Sequence, residues 1–487
     1  MDLKVQVALY ATIAYLAAAL FIGCFFSKRV RGFADYAVAG RKLGLALAFG
    51  TILATWFGTG VAVGGASMAY SFGFRGVIMD PIGAGLCIIL FGLFFAHKLR
   101  KMGYITVSDY FRERYGPRME LVSAVVQVVA YIGWTATLLV TFGTIAKVFL
   151  GISYLEGILI GGAVTLAYTM LGGMWSVAVT DLLQSMLLIA GVLILLPYTV
   201  TAVGGMSGVA EKVSLNDISI LPESNWGYLG YFGLLGAAFY ISSWLVQGMG
   251  SLSCQDLVQR ALSAKDEATA RRASIAAGLA YVTIGLVPAF IGILARFVLP
   301  GLDNPDEALP RIALQLLPTG AFAVFTVGLL AALMSSADSA MLVPAVMVAQ
   351  NIVPFIKRVR DRTKLIIGRL MIPVVVVLAL AIAMLAPRIY FLMNLSWELI
   401  LMVQGLPFIL GFYWEKAEEK GALASIAVNL CVWIALTTLL LPRTLAVEGC
   451  MEYAVWDAIY IAAPPALVAG LATFIVVSKT LGRRDGE

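Results

Sequence analysis

Apolar residues run along this chain in blocks of about 18 or more, parted by short polar or basic stretches. Each block is long enough to cross about 30 Å of hydrocarbon as a helix, whereas a membrane barrel would show short segments of alternating character. The pattern predicts thirteen spans, at 5–26, 44–70, 75–97, 119–149, 154–172, 178–202, 229–252, 273–297, 318–345, 366–386, 390–413, 421–441 and 454–478. The first block is too long for a secretory signal and lacks a small-residue cleavage site, so it is read as structure. Between the spans lie an outer loop at 203–228, which contains "SLNDISILPESNW" and is expected to form a short interfacial helix, and another at 299–314, a candidate lid.

Two spans are interrupted where a helix should be most regular. "ATWFGTG" (54–60) puts two glycines, two threonines and a tryptophan into the second span, and "VQGMGSLSCQ" (246–255) does the same with glycines, serines and glutamines in the seventh. Gly58 and Gly60 lower helix propensity, and Thr55 and Thr59 can bond freed backbone groups. Glycines in a span also serve close helix packing, which is the plainer reading of either stretch alone. The two breaks are five spans apart, however, and five-helix units that each open on a broken helix mark an inverted repeat. The expected organisation is all-α and membrane-integral. A peripheral helix and loop (1–43) precede the first repeat (44–202), the outer loop (203–228), the second repeat (229–413) and two further peripheral helices with a tail (414–487).

Composition agrees: of 487 residues, 61% are hydrophobic and 13% charged, against about 25% charged in a soluble protein. Mean hydropathy is +0.93. With the N-terminus outside, 26 of the 34 Lys and Arg fall in the inner segments 28–44, 97–118, 172–178, 256–272, 357–369, 414–420 and 479–487. That asymmetry puts the C-terminus in the cytoplasm and makes the basic balance a matter of membrane insertion, with no nucleic-acid partner needed. The five cysteines, Cys24, Cys87, Cys254, Cys431 and Cys450, lack metal-ligand spacing, and the single histidine, His97, leaves no material for a histidine-built metal site. No Walker motif, Rossmann fingerprint or nucleophile elbow occurs, so an enzyme or an ATP-driven pump is not expected.

The ninth span ends "GLLAALMSSADSAML", in which Ala332, Ser335 and Ser336 share one helix face. A hard cation such as sodium wants about five or six oxygens. The two hydroxyls and a carbonyl of that face, with carbonyls of Ala54 and Phe57 freed by the break, would supply them. Serines bonded back to their own helix are the alternative. Asp181, with Gln184 and Ser185 one turn on, either neutralises a cation near the serines or is a solvated helix-start residue. Asp338 and Glu398 are two further embedded acids, open between structural pairing and ion binding.

"MSSADS", "YTMLGGMWSVAVTD" (168–181) and "CQDLVQRALSA" (254–264) resemble motifs of the sodium:solute symporter family, over residues 30 to 440. The resemblance implies a leucine-transporter fold with an extra N-terminal helix, sodium-coupled transport by alternating access, and a sodium site on Ala54, Phe57, Ala332, Ser335 and Ser336 with Asp181 nearby. "ATWFGTG", "FFAHKLRKMGYITVSDYFRERYG" and "MSSADS" are most similar to its choline-transporter branch. There a quaternary ammonium sits in an aromatic cage. Trp56 and Trp134 match cage positions, but Cys254, Met393 and Ala84 stand where rings are expected. Asp80, in "GVIMDPIGAG", is either a helix cap before Pro81 or a counter-charge beside Trp56. Sugar carriers of the family use polar side chains on the same helices, a part that Gln247, Gln255 and Asn394 could play here. The expected cargo is a small cationic or zwitterionic amine. A neutral sugar, a monocarboxylate or a sensor of this fold is the alternative. The expected setting is the inner cell membrane, with sodium, the solute and lipid as partners and the monomer as the working unit.

Overall fold

The computed structural model describes residues 3–58, 60–385 and 389–481. Its long elements are α1 (Leu3–Ser27), α2 (Leu45–Trp56), α3 (Gly65–Phe72), α4 (Ala84–Phe94), α5 (Pro117–Ile145), α6 (Tyr154–Ala202), α7 (Gly233–Leu245), α8 (Gln255–Ser263), α9 (Glu267–Val298), α10 (Thr319–Met347), α11 (Asp361–Leu385), α12 (Ile389–Ile400), α13 (Leu406–Tyr413), α14 (Glu419–Glu448) and α15 (Met451–Leu481). Among the described residues ten helices are long and apolar enough to span a membrane, not thirteen. The apolar segments lie where expected; the count differs because of the breaks. The second span stops at Trp56 and resumes with a π-helical turn at Gly60–Gly64, and α7 ends at Leu245 before a π-helical turn at Val246–Gly250. The fifth and sixth spans are joined through Gly173 inside α6.

Gly173 has φ 51° and ψ −147°, and a Cβ there would lie 2.5 Å from a ring carbon of Tyr36, so the position is open only to glycine. On a straight helix Tyr168 and Asp181 would stand about 20 Å apart. Instead the Tyr168 hydroxyl lies 2.9 Å from Asp338, while Asp181 lies 3.6 Å from Arg260, itself bonded to Ser339 on the same helix as Asp338. The chain therefore doubles back at Gly173.

α10 is the central element: every residue from Phe325 to Met347 is buried. A helix apolar on all faces belongs inside the bundle. Its most apolar window is 83% buried, against 28% for α1 and 22% for α14, which sit at the lipid-facing edge. Its small residues let neighbours approach: a Cβ on Gly328 would meet the Leu187 carbonyl oxygen at 2.5 Å.

The helix Val107–Tyr115 begins with a capping box between Thr106 and Asp109. Its Arg114 donates to the carbonyls of Gly411, Trp414 and Glu415 around the end of α13, where a helix C-terminus favours a cation. The 203–228 loop forms the short helix Gly205–Lys212, and Ser224–Trp226 makes a 3-10 turn at the end of "SLNDISILPESNW". Two arginines hold the loop down. Arg75 binds Glu223 at 2.5 Å, the Leu221 carbonyl at 2.9 Å and Asn216, and Arg296 binds Asp217 at 2.9 Å. Partial burial opposes ionisation of Asp217, but the Ser214 hydroxyl and N–H and the Arg296 guanidinium hold its carboxyl below the usual range. The 299–314 segment folds back as the helix Ala308–Leu316.

Candidate functional site

The break in α2 and the serine face of α10 meet. Ser335 Oγ lies 2.9 Å from the Ala54 carbonyl and 2.7 Å from the Ala332 carbonyl, and Ser336 Oγ donates to the Thr55 carbonyl at 3.1 Å. Phe57, at the end of α2, has φ −78° and ψ 63°, which turns its peptide out of the helical ladder. The next residue, Gly58, presses on α10 so closely that a Cβ would lie 2.3 Å from Ser336 Oγ. Sequence reasoning placed Ala54, Phe57, Ala332, Ser335 and Ser336 on these two elements. The alternative, serines bonded only within their own helix, does not describe them, because both hydroxyls reach across to α2. The Thr55 carbonyl was missed. Thr59 lies outside the described residues.

Asp181 is buried, which removes the solvated helix-start reading. Its Oδ2 accepts from Thr51 Oγ1 at 2.5 Å and faces Arg260 at 3.6 Å, while Oδ1 has no partner among the described residues. Arg260 is the main correction to the charge map. It was counted with the inner loop 256–272, but α8 is buried throughout and Arg260 is 1% exposed. It donates to Ser339 Oγ and, at 3.2 and 3.0 Å, to the carbonyls of Thr51 and Asp256. The i, i+4 spacing of Asp256 and Arg260 just past a broken stretch was the available signal. Asp338 is structurally paired, accepting from Tyr168 and, at 3.0 Å, from Ser339. Glu398 is buried with neither oxygen bonded among the described residues. Gln184 donates to Tyr15 at 2.6 Å, and Ser185 to its own helix.

Against the ion-ready cluster lies a cavity of ≈ 40 Å³ whose wall includes Thr55, Trp56, Gly58, Asp80, Trp134 and Ser336. A single water needs about 10–15 Å³ of such space, so the cavity has room for a few waters. Tyr281, Trp397, Gln247, Asp256 and Ala84 complete its wall. Asp80 has the extended backbone of a residue ahead of a helix, φ −145° and ψ 119°, but its side chain turns away from a capping role: Oδ1 accepts from the Tyr281 hydroxyl at 2.7 Å. That hydroxyl is also 2.9 Å from the Trp56 carbonyl, tying Asp80 to the break. The Trp134 and Trp397 rings lie 5.6 Å apart, and those of Trp56 and Tyr281 6.5 Å apart. Rings from Trp397 and Tyr281 thus stand in a wall where Ala84 supplies none. Neither was singled out in the sequence, since a lone aromatic in an apolar run carries no signal.

Gln247 lines the cavity and accepts from Ser251 at 2.8 Å. Gln255 does not line it. Its amide bonds the Val107 N–H at 2.7 Å and the Ile105 carbonyl at 3.3 Å, fastening α8 to the start of the helix Val107–Tyr115. The side chains of Met393 and Asn394 lie outside the described residues. Cys254 is buried, and the five cysteines are unpaired.

Comparison with known proteins bears on the whole chain. The model of the sodium:solute symporter family matches residues 36–428. High-affinity choline transporter 1 of Caenorhabditis elegans is 28% identical over 414 residues, covering 81% of this chain and 69% of that protein. The sodium/pantothenate symporter of Haemophilus influenzae is 25% identical over 98% of this chain and 96% of its own length. In structure, a Na⁺-coupled sialic acid symporter in a substrate-bound outward-open state aligns with a TM-score of 0.80 over 96% of this chain and 97% of that one. At 20% identity it speaks for the fold. The fold is that of the leucine-transporter-like carriers, and the relatives are carriers rather than enzymes. With most of its length matched by that model, this multi-pass membrane chain belongs to the sodium:solute symporter family.

Proposed function

We propose that this carrier moves a small cationic or zwitterionic amine, with the ion on the α2–α10 cluster and the solute in the adjoining cavity. Sodium-coupled symport of a small solute is the family's activity and this chain's. The observation that carries the finer reading is the shared wall: Thr55, Gly58 and Ser336 border the cavity and also form the oxygen cluster. Sodium would be held by the carbonyls of Ala54, Phe57 and Ala332 and the hydroxyls of Ser335 and Ser336. A hydroxyl that donates to a carbonyl can swing its proton aside and offer a lone pair. The unpartnered Oδ1 of Asp181 adds negative potential nearby. An ion so held draws the broken helix onto α10 and fixes Trp56, the residue between Thr55 and Phe57, at the cavity wall. Ion and solute then favour the same closed arrangement, the condition for a positive coupling free energy of about 1–3 kcal/mol.

For the solute, Asp80 is the counter-charge and Trp56, Trp134, Trp397 and Tyr281 are ring surfaces for a cation. Two acids in the wall, Asp80 and Asp256, disfavour a carboxylate. The pantothenate relative is the observation that favours the monocarboxylate reading instead. The test is a thermal-shift screen of amines, amino acids, sugars and carboxylates with and without sodium, followed by uptake into vesicles with an imposed sodium gradient. Sodium-dependent stabilisation by amines is expected; a sugar or carboxylate as the sole hit would refute the reading. Ser335→Ala and Ser336→Ala should each raise the sodium concentration for half-maximal uptake roughly tenfold, at unchanged expression, since an unmet polar contact costs about 1–3 kcal/mol. Unaltered sodium dependence in both would put the ion elsewhere.

The two repeats (44–202 and 229–413) are the halves that rock about this site. The monomer is the working unit, in the inner membrane with the N-terminus outside. Cysteines introduced at 362 and 483 should resist an impermeant thiol reagent on intact cells, and ready labelling of both would reverse the orientation.

A further inference from the structure

Two polar groups of the cavity wall are left over once the protein's own bonds are drawn. Asp80 spends Oδ1 on the Tyr281 hydroxyl, and its Oδ2, 3.5 Å from where a Cβ of Gly60 would lie, has no partner among the described residues. The Trp56 indole Nε1 is buried and also unpartnered. One is an acceptor with a charge, the other a donor that can only donate. Both belong to groups lining the same small cavity, and Tyr281 holds them in fixed relation by touching Asp80 and the Trp56 backbone together.

A buried donor without a partner is costly, so a solute that satisfies it gains what one that cannot forfeits. At Asp80 the free oxygen carries charge, and an N–H⁺ facing it makes a charge-assisted hydrogen bond. A quaternary ammonium presents no N–H and is best served by ring faces on all sides. Here the ring wall is incomplete at Ala84, and a carboxylate stands in the cavity instead. A second acid, Asp256, shares the wall, and Arg260 beside it is not among the lining residues. The wall therefore holds two carboxylates and no cation, which suits a positive solute with a neutral oxygen better than a zwitterion.

We infer that the solute is a small protonated amine that keeps at least one N–H and carries a neutral acceptor oxygen a few bonds away, with Asp80 Oδ2 taking the N–H, Trp56 Nε1 donating to the oxygen, and Tyr281 positioning both. The inference rests on the reading of the cavity as an amine site and narrows it from amines in general to N–H-bearing amino alcohols.

The experiment measures binding by thermal shift and calorimetry to the purified full-length carrier in sodium. The probes are ethanolamine, its N-methyl and N,N-dimethyl derivatives, choline, propylamine and β-alanine. The expected break is between dimethylethanolamine, which keeps one N–H, and choline, which has none: choline should bind at least tenfold more weakly, the scale of one charge-assisted hydrogen bond. Propylamine, the isostere without an oxygen, should also bind about tenfold more weakly than ethanolamine. In Trp56→Phe the ratio of ethanolamine to propylamine affinity should fall to about one, and Tyr281→Phe should weaken ethanolamine binding while sodium alone still stabilises the protein. Choline binding as tightly as dimethylethanolamine, or β-alanine more tightly than ethanolamine, overturns the inference while leaving an amine carrier standing. Stabilisation by a sugar or carboxylate and by none of the amines overturns the amine reading itself, and this inference with it. Should Trp56→Phe fail to fold, the ligand series on the unaltered carrier decides the question alone.

Discussion

Arg260→Met should leave the carrier poorly folded. Removing the guanidinium strands Asp181 as a buried carboxylate with only Thr51 for company, and takes a donor from Ser339 and from the carbonyls of Thr51 and Asp256. Breaking one side of a buried ion pair costs about 3–5 kcal/mol, most of it the price of an uncompensated charge. The expected result is a large loss of monodisperse protein in detergent and a markedly lower melting temperature. Arg260→Met combined with Asp181→Asn should recover much of that loss, since the pair's absence is cheaper than half of it. If the two substitutions instead add, the charges are not coupled and the pairing described here carries no weight.

Gly58→Ala is expected to be nearly as damaging, by another route. The new methyl would sit 2.3 Å from Ser336 Oγ and 3.5 Å from Ser336 Cβ. The hydroxyl must swing away or α2 must part from α10, and overpacking of this kind costs about 1–3 kcal/mol. Either outcome dismantles the oxygen cluster, so the sodium concentration for half-maximal uptake should rise tenfold or more. The double variant Gly58→Ala/Ser336→Ala separates packing from ion holding. Its methyl meets Cβ at ordinary contact distance, so thermal stability should return while sodium affinity does not. Full recovery of sodium affinity would mean Ser336 contributes no ligand.

Much of this site was legible before any coordinates. Apolar block length gives the membrane class, and polar interruptions five spans apart give the repeat, because a break in a lipid-embedded helix must be compensated nearby. Helical spacing puts Ala332, Ser335 and Ser336 on one face. What escaped was whatever depends on which way a side chain turns after a break. Arg260 reads as a loop cation because charge normally marks the end of a span; only the fold shows α8 diving back under α10. Gln255 reads as a solute ligand from its place beside the seventh-span break, yet one residue past the extended Cys254 its amide points to the helix Val107–Tyr115. Asp80 before Pro81 fits a cap by local rules, and Tyr281, some two hundred residues away, makes it something else.

The arginine clasps on the 203–228 loop bear on how α6 and α7 are tethered. A free chain of that length would let the two helices wander. Arg75, just beyond α3, and Arg296, near the end of α9, pin residues 216, 217, 221 and 223 of that connection. Pinned in this way, the linker behaves as two shorter segments, and shorter loops give up less closure entropy. Each flanking helix is then presented to the other at a higher effective concentration. High salt, which weakens exposed ion pairs, would loosen that tether.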